Sequence, residues 1–204
     1  ALNTLGMVAM EQGRLEEAEA RLEEALAVLA AQPHDRARGI TLLNLAALEH
    51  FRGNVDRAER HAMEALAACR AAGDVRAEAV SLANLGAALS ARGDRGGAAR
   101  RFEEALLLHE QTGDRRSRCV ALVNLANAVG EPDRRRDLLQ EALSLARGGG
   151  DQRNVALVSM NLAGVMLAEG RRAEAEALLR GALDIHRTGG NRRADGATLA
   201  HLGL

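Results

Sequence analysis

Four asparagines stand on a near-constant pitch in near-identical surroundings: Asn44 in "TLLNLAALE", Asn84 in "SLANLGAAL", Asn124 in "ALVNLANAV" and Asn161 in "SMNLAGVML". A side-chain amide carries both a donor and an acceptor, so it can pair with the C=O and N–H of a peptide whatever that peptide's side chains are. One amide per repeat would hold an extended or helical segment by its backbone. The same column of amides could instead bond to neighbouring helices and fix the spacing between them.

The other groups that carry chemistry do not converge. His34, His50, His61, His109, His186 and His201 form no HExxH or other ligand spacing on one helix. Cys69 and Cys119 belong to no CxxC or Cys/His pattern and read as small buried residues of a reducing cytoplasm. No phosphate-binding loop, dinucleotide fingerprint or nucleophile elbow is present. In "RLEEAEARLEEAL" the carboxylates alternate with Arg at helical spacing, as on a solvated face. The expectation is therefore a chain without catalysis, metal or cofactor.

Charge narrows the partners. The 27 basic residues, all Arg, nearly cancel the 28 acidic ones, for a net charge of −1. With no basic run longer than "DRRR", the sequence points away from nucleic acid. No apolar stretch has the length of a membrane span and no signal peptide is visible, so a cytoplasmic location without membrane contact is expected. The Arg-only, Ala/Gly-rich composition suggests a GC-rich, bacterial genome.

The elements that must carry the amides follow from composition and period. Ala, Leu, Glu and Arg dominate, Trp and Tyr are absent, and only Pro33 and Pro132 interrupt, which reads as all-helical. The Gly or Ala two residues after each asparagine position recurs as Gly6, Ala46, Gly86, Ala126, Ala163 and Gly203, at steps of 40, 40, 40, 37 and 40. Seven residues after this marker stand Gly13, Gly53, Gly93 and Gly170; twelve after it stand Ala18, Ala58, Ala98 and Ala175. Each unit predicts two amphipathic helices; in the third, Arg76–Arg92 forms helix A, Gly93 turns, and Arg95–Gln111 forms helix B. Gly73-Asp74, Gly113-Asp114 and Gly150-Asp151, with the variant Gly190-Asn191, recur between units: Gly to end one helix in a left-handed conformation, Asp or Asn to cap the next. Small residues on the inner face of helix B let the two helices approach closely.

This pattern resembles the tetratricopeptide repeat, whose signature appears here as Leu85-Gly86, Gly93, Ala98, Phe102 and Ala105. The resemblance covers essentially the whole chain. The pitch is 40 rather than the usual figure of about 34, and the signature's aromatics and the Pro ending helix B are missing. The longer unit is similar to a subgroup that includes Leu-Gly-Asn-repeat G-protein regulators, kinesin light chains, and the sensor arrays of bacterial transcription regulators and signalling ATPases. The resemblance implies an all-α, right-handed superhelical solenoid of antiparallel helix pairs, as a single array over 1–204. Its repeats are expected at 1–33, 36–73, 76–113, 116–150 (shortened) and 153–190, with the start of a sixth at 193–204. Because "ATLAHLGL" ends on apolar residues rather than a polar cap, the repeat pattern is expected to continue past Leu204.

In such arrays helix A lines the concave surface, and the position two before the marker points into it. That position holds Thr4, Asn44, Asn84, Asn124, Asn161 and His201. On the same stripe, four residues earlier, lie Ile40, Val80, Val120 and Leu157; three later lie Ala47, Ala87, Asn127 and Gly164. The expected groove is apolar and small-walled, with an amide ladder along its axis, and binds a protein or peptide segment. A second column, Arg36, Arg76, Arg116, Arg153 and Arg193, sits near helix N-termini, where the dipole disfavours it. It either pairs with Asp35, Asp74, Asp114, Asp151 or a nearby Glu, or forms a basic rim for an acidic ligand. Without any Lys, the carboxylate clamp of the chaperone-binding subset is not supported.

In the fourth unit, Ala126 to Ala142 spans 16 residues where Gly86 to Ala105 spans 19. "GEPD" replaces the turn glycine, so helix A should end near Val129 and Pro132-Asp133 should start helix B, with Arg135 where other units have Ala. This is either a tolerated deletion in an exposed turn or a local change of curvature that shapes a binding surface. The functional expectation is the sensor or docking segment of a larger cytoplasmic regulator. The alternative is an architectural spacer, or a segment that self-associates through uncapped ends.

Overall fold

The computed structural model describes residues 1–30 and 34–189. Regular structure among them is entirely helical: α1 Leu2–Glu11, α2 Leu15–Ala30, α3 Asp35–Arg52, α4 Val55–Ala71, α5 Val75–Arg92, α6 Arg95–Gln111, α7 Arg115–Ala128, α8 Pro132–Gly148, α9 Gln152–Ala168 and α10 Arg172–Thr188. Odd-numbered helices are the A helices and even-numbered ones the B helices of successive antiparallel pairs. The chain falls into two compact units, Ala1–Thr112 and Gly113–Leu204. In the first, α2 packs on α3 and α4 on α5, and neighbouring A helices touch; in the second, α8 packs on α9 and α7 meets α9. The start of the sixth repeat, with Arg193 and His201, lies outside the described residues, as does the Gly190-Asn191 turn.

The small marker residue has a steric cause. A Cβ added at Gly86 would come 2.7 Å from Phe102 Cε1, and one added at Gly6 would come 2.8 Å from Leu22 Cγ. Helix B presses a large side chain against helix A where helix A has none. Ala18, Ala58, Ala98 and Ala175 are at most 2% exposed, closing the same interface from the B side. The core is accordingly Leu and Ala, with Phe102 buried and Phe51 left outside.

The turns follow their chemistry. Gly73, Gly113 and Gly150 take left-handed φ values of 63°, 67° and 66°. Asp74, Asp114 and Asp151 then accept hydrogen bonds from the backbone N–H of Ala77, Ser117 and Asn154. In the fourth repeat α7 stops at Ala128, Val129 is extended, and Pro132 opens α8 in its first turn. Arg135, at the position where other repeats bury Ala, donates a long bond to Asn127 Oδ1 at 3.4 Å.

Candidate functional site

The A helices place the candidate residues. On an α-helix, positions i−4, i and i+3 fall within about a sixth of a turn of one another, so Ile40, Asn44 and Ala47 share one face of α3, as Val80, Asn84 and Ala87 do on α5. The second unit repeats this with Val120, Asn124 and Asn127 on α7 and Leu157, Asn161 and Gly164 on α9. This face is open in both units. Ile40, Val80, Val120 and Leu157 remain 37–42% exposed, although each is a large apolar side chain surrounded by buried helix neighbours. Asn44, Asn84, Asn124 and Asn161 are half-buried beside them, and Asn127 is exposed.

The four amides do not have the same bonding. Asn44 Nδ2 donates to Asn3 Oδ1 of α1 at 2.9 Å, and Asn3 Nδ2 donates to Thr41 Oγ1 at 3.1 Å. Thr41 in turn donates to the Ala37 carbonyl, closing a polar chain across two A helices. Asn84 Nδ2 reaches back to the Leu43 carbonyl of α3, at a long 3.5 Å. Asn161 Nδ2 donates to the Leu157 carbonyl of its own helix at 2.9 Å. Asn124 bonds to no described residue. Asn44 thus spaces helices as well as facing the open surface, whereas the other amides keep most of their capacity.

The arginine column lies at the surface. Arg36 Nε pairs with Asp74 Oδ2 at 2.8 Å and Arg116 Nε with Asp151 Oδ2 at 3.7 Å, each reaching the aspartate that caps the following A helix. Asp74 is held below its ordinary value, first by the Ala77 N–H, with a further contribution from Arg36. Arg76 and Arg153 are exposed.

One polar network was not legible in the sequence. Glu49 of α3 is fully buried, receives Asn54 Nδ2 at 2.7 Å, and faces Arg57 at 3.0 Å. Arg57 also pairs with Glu19 of α2 at 2.7 Å, and Arg52 pairs with the same carboxylate. The Arg52 bond is the main cause holding Glu19 below the usual carboxylate range. The Glu/Arg alternation of α2, read as a solvated face, is in part a contact between repeats. No group of three or more His, Cys, Asp or Glu able to hold a metal occurs among the described residues. None of the described helices is long and apolar enough to cross a membrane.

The fold is shared with solved helical-repeat proteins. The chain superposes on the tetratricopeptide-sensor STAND protein PH0952 of Pyrococcus horikoshii with a TM-score of 0.82 at 18% identity, over 98% of this chain and 31% of that one. A Podospora anserina protein with kinesin-light-chain repeats gives 0.73 at 21% identity, over 93% and 94%. The Rap conjugation regulator of plasmid pLS20, in complex with the Phr* peptide, gives 0.78 at 16% identity, over 98% and 57%. No curated protein matches the sequence. The family described as the MalT-like TPR region matches residues 3–198, and the chain belongs to that family.

Proposed function

We propose that the chain is a peptide- or protein-binding module, acting as one recognition segment of a larger cytoplasmic regulator and not as an enzyme. The observation that carries this reading is the open face in each unit, Ile40 and Val80 beside Asn44 and Asn84 in the first and Val120 and Leu157 beside Asn124 and Asn161 in the second, with amides only half committed. Open apolar side chains in register with unused donors and acceptors suit a ligand whose side chains enter the apolar positions while its backbone meets the amides. The similar Rap regulator in complex with a peptide, and the STAND protein with a repeat sensor, support the same class of ligand and of parent protein. Asn44, Asn84, Asn124, Asn161 and Asn127 would grip the ligand, with Arg36, Arg76, Arg116 and Arg153 as a rim.

A display selection of random linear peptides against the chain tests this. Peptides selected on the wild type should lose roughly two- to tenfold in affinity to Asn124→Ala, since a lost polar pair costs about 0.5–1.5 kcal/mol, and at least as much to Val80→Glu, which puts a charge in an apolar pocket. Selected peptides indifferent to both variants would overturn the reading. Asn44 supports a second role, because its bond to Asn3 ties α3 to α1; it spaces helices whether or not a ligand is present.

A further inference from the structure

On α9, Ser159, Leu162 and Met166 point away from the face that carries Leu157 and Asn161, roughly 100–180° around the helix at about 100° per residue. There they form the floor of a cleft of about 840 Å³ between α8 and α10. Its walls are cut low by small residues one turn apart, Ser144 and Gly148 on α8, Ala177 and Gly181 on α10. Gly181 is in mid-helix, and a Cβ there would meet nothing within 4 Å, so neither backbone conformation nor packing demands a glycine.

The corresponding place in the first unit carries more charge. Counted from the Ala-Leu pair of each B helix, Arg70 of α4 corresponds to Arg147 of α8, and Glu104 of α6 to Gly181 of α10. Arg70 is bonded to Glu78 of α5 at 2.7 Å and lies 4.0 Å from Glu104, whose carboxylate takes two bonds from Arg101, at 2.9 and 3.1 Å; the second unit has Val155 in place of Glu78. In the second unit the glutamate has become Gly181 and the helper arginine Leu178, while Arg147 is kept. No described residue pairs with it. Arg171, across the cleft, is committed to Glu174 at 2.6 and 2.7 Å and to Glu169 at 3.1 Å. Ser159 lies on the floor of the cleft and is 4% exposed. An arginine without a carboxylate thus stands beside an apolar trough lined by Leu143, Leu162, Met166 and Leu178.

We propose that this cleft docks an amphipathic helix of a partner protein, with an acidic side chain of that helix taking the place that Glu104 fills in the first unit. The small residues on both walls admit a helix backbone closely, Leu162, Met166 and Leu178 receive its apolar side chains, and Arg147 receives its carboxylate. The occupant is a helix with a Glu or Asp one turn from a Leu or Met. This site is separate from the A-helix face, and the two can be filled independently.

The test is a phage-displayed library of helical peptides panned against the full chain, with individual binders measured by fluorescence anisotropy. Enrichment of acidic-apolar helices is expected. Gly181→Glu, which supplies the missing carboxylate internally, should weaken them at least about tenfold, and Arg147→Gln by roughly five- to tenfold. Asn124→Ala should leave them unchanged. Circular dichroism of Gly181→Glu and of Gly181→Ala checks that helix content is retained, and Gly181→Ala should still bind. Selection of helices without an acidic preference, full binding by Gly181→Glu, an empty selection, or occupancy of the cleft by octanoate alone would each overturn the proposal.

Discussion

Asn44 and Asn124 occupy one register position, yet only the first is held by a neighbouring helix. Removing the Asn44 amide breaks the chain through Asn3 and Thr41, so Asn44→Ala should cost about 0.5–1.5 kcal/mol of stability. Asn124→Ala, which breaks no bond within the described residues, should stay within about 0.5 kcal/mol, and Asn84, bonded at 3.5 Å, should lie near it. Urea unfolding of the three single variants measures this directly; losses above about 1 kcal/mol at all three positions would make the whole column structural. Gly181 makes the opposite kind of statement. A mid-helix glycine with open space around it lowers helix stability by roughly 1 kcal/mol relative to alanine, so Gly181→Ala should raise the unfolding free energy by about that much. A neutral or destabilising result would mean that the position has a packing constraint which its surroundings do not show.

At the scale of the helix pair, the governing contact is a ring set against a missing side chain. Phe102 is 2% exposed and lies where a Gly86 Cβ would be, so Gly86→Ala should cost about 1–3 kcal/mol by overpacking. Combining it with Phe102→Leu should recover part of that loss, and simple additivity of the two would show that the rest of the pair relaxes instead. The helix pairs themselves were legible because each depends on local signals: the marker and the +12 alanine sit on one repeat, and Gly-Asp ends one helix and caps the next. The early stop of α7 at Ala128 was legible for the same reason, since Pro132 excludes a continuous helix. What depends on residues from different repeats was not. Whether Asn44 finds Asn3, or Glu19 finds Arg57, depends on side-chain reach between helices 38 to 41 residues apart. The cleft beside Arg147 was hidden because it arises from the loss of a glutamate in one repeat opposite an arginine kept in another.

For the whole molecule, stability comes from Leu/Ala burial, and the described residues offer no cluster for a metal; exhaustive chelation should leave the thermal midpoint unchanged, and a fall of several degrees would reveal a bound ion. The titrating groups then set the pH range of the fold. Burial pushes His61 below its ordinary 6.5, so it folds neutral and gains a proton on unfolding. Glu19 is held down chiefly by the Arg52 bond, and Asp74 chiefly by the Ala77 N–H, so both bind protons more tightly in the unfolded chain. All three therefore lower stability as the pH falls, His61 from about 6.5 downward and the carboxylates from around 4 downward. The alkaline side runs the other way. Burial raises Cys69 above its ordinary 9.0 and pushes Cys119 up to about 11, so the unfolded chain releases these protons first. Stability should accordingly be highest between about pH 6.5 and 9 and decline on both sides. Thermal melts across pH 4 to 11 in a reducing buffer check the shape. Replacing both thiols, in Cys69→Ala with Cys119→Ala, should flatten the alkaline limb while leaving the acid limb in place; an alkaline decline that survives the double variant would assign it to groups other than the buried cysteines.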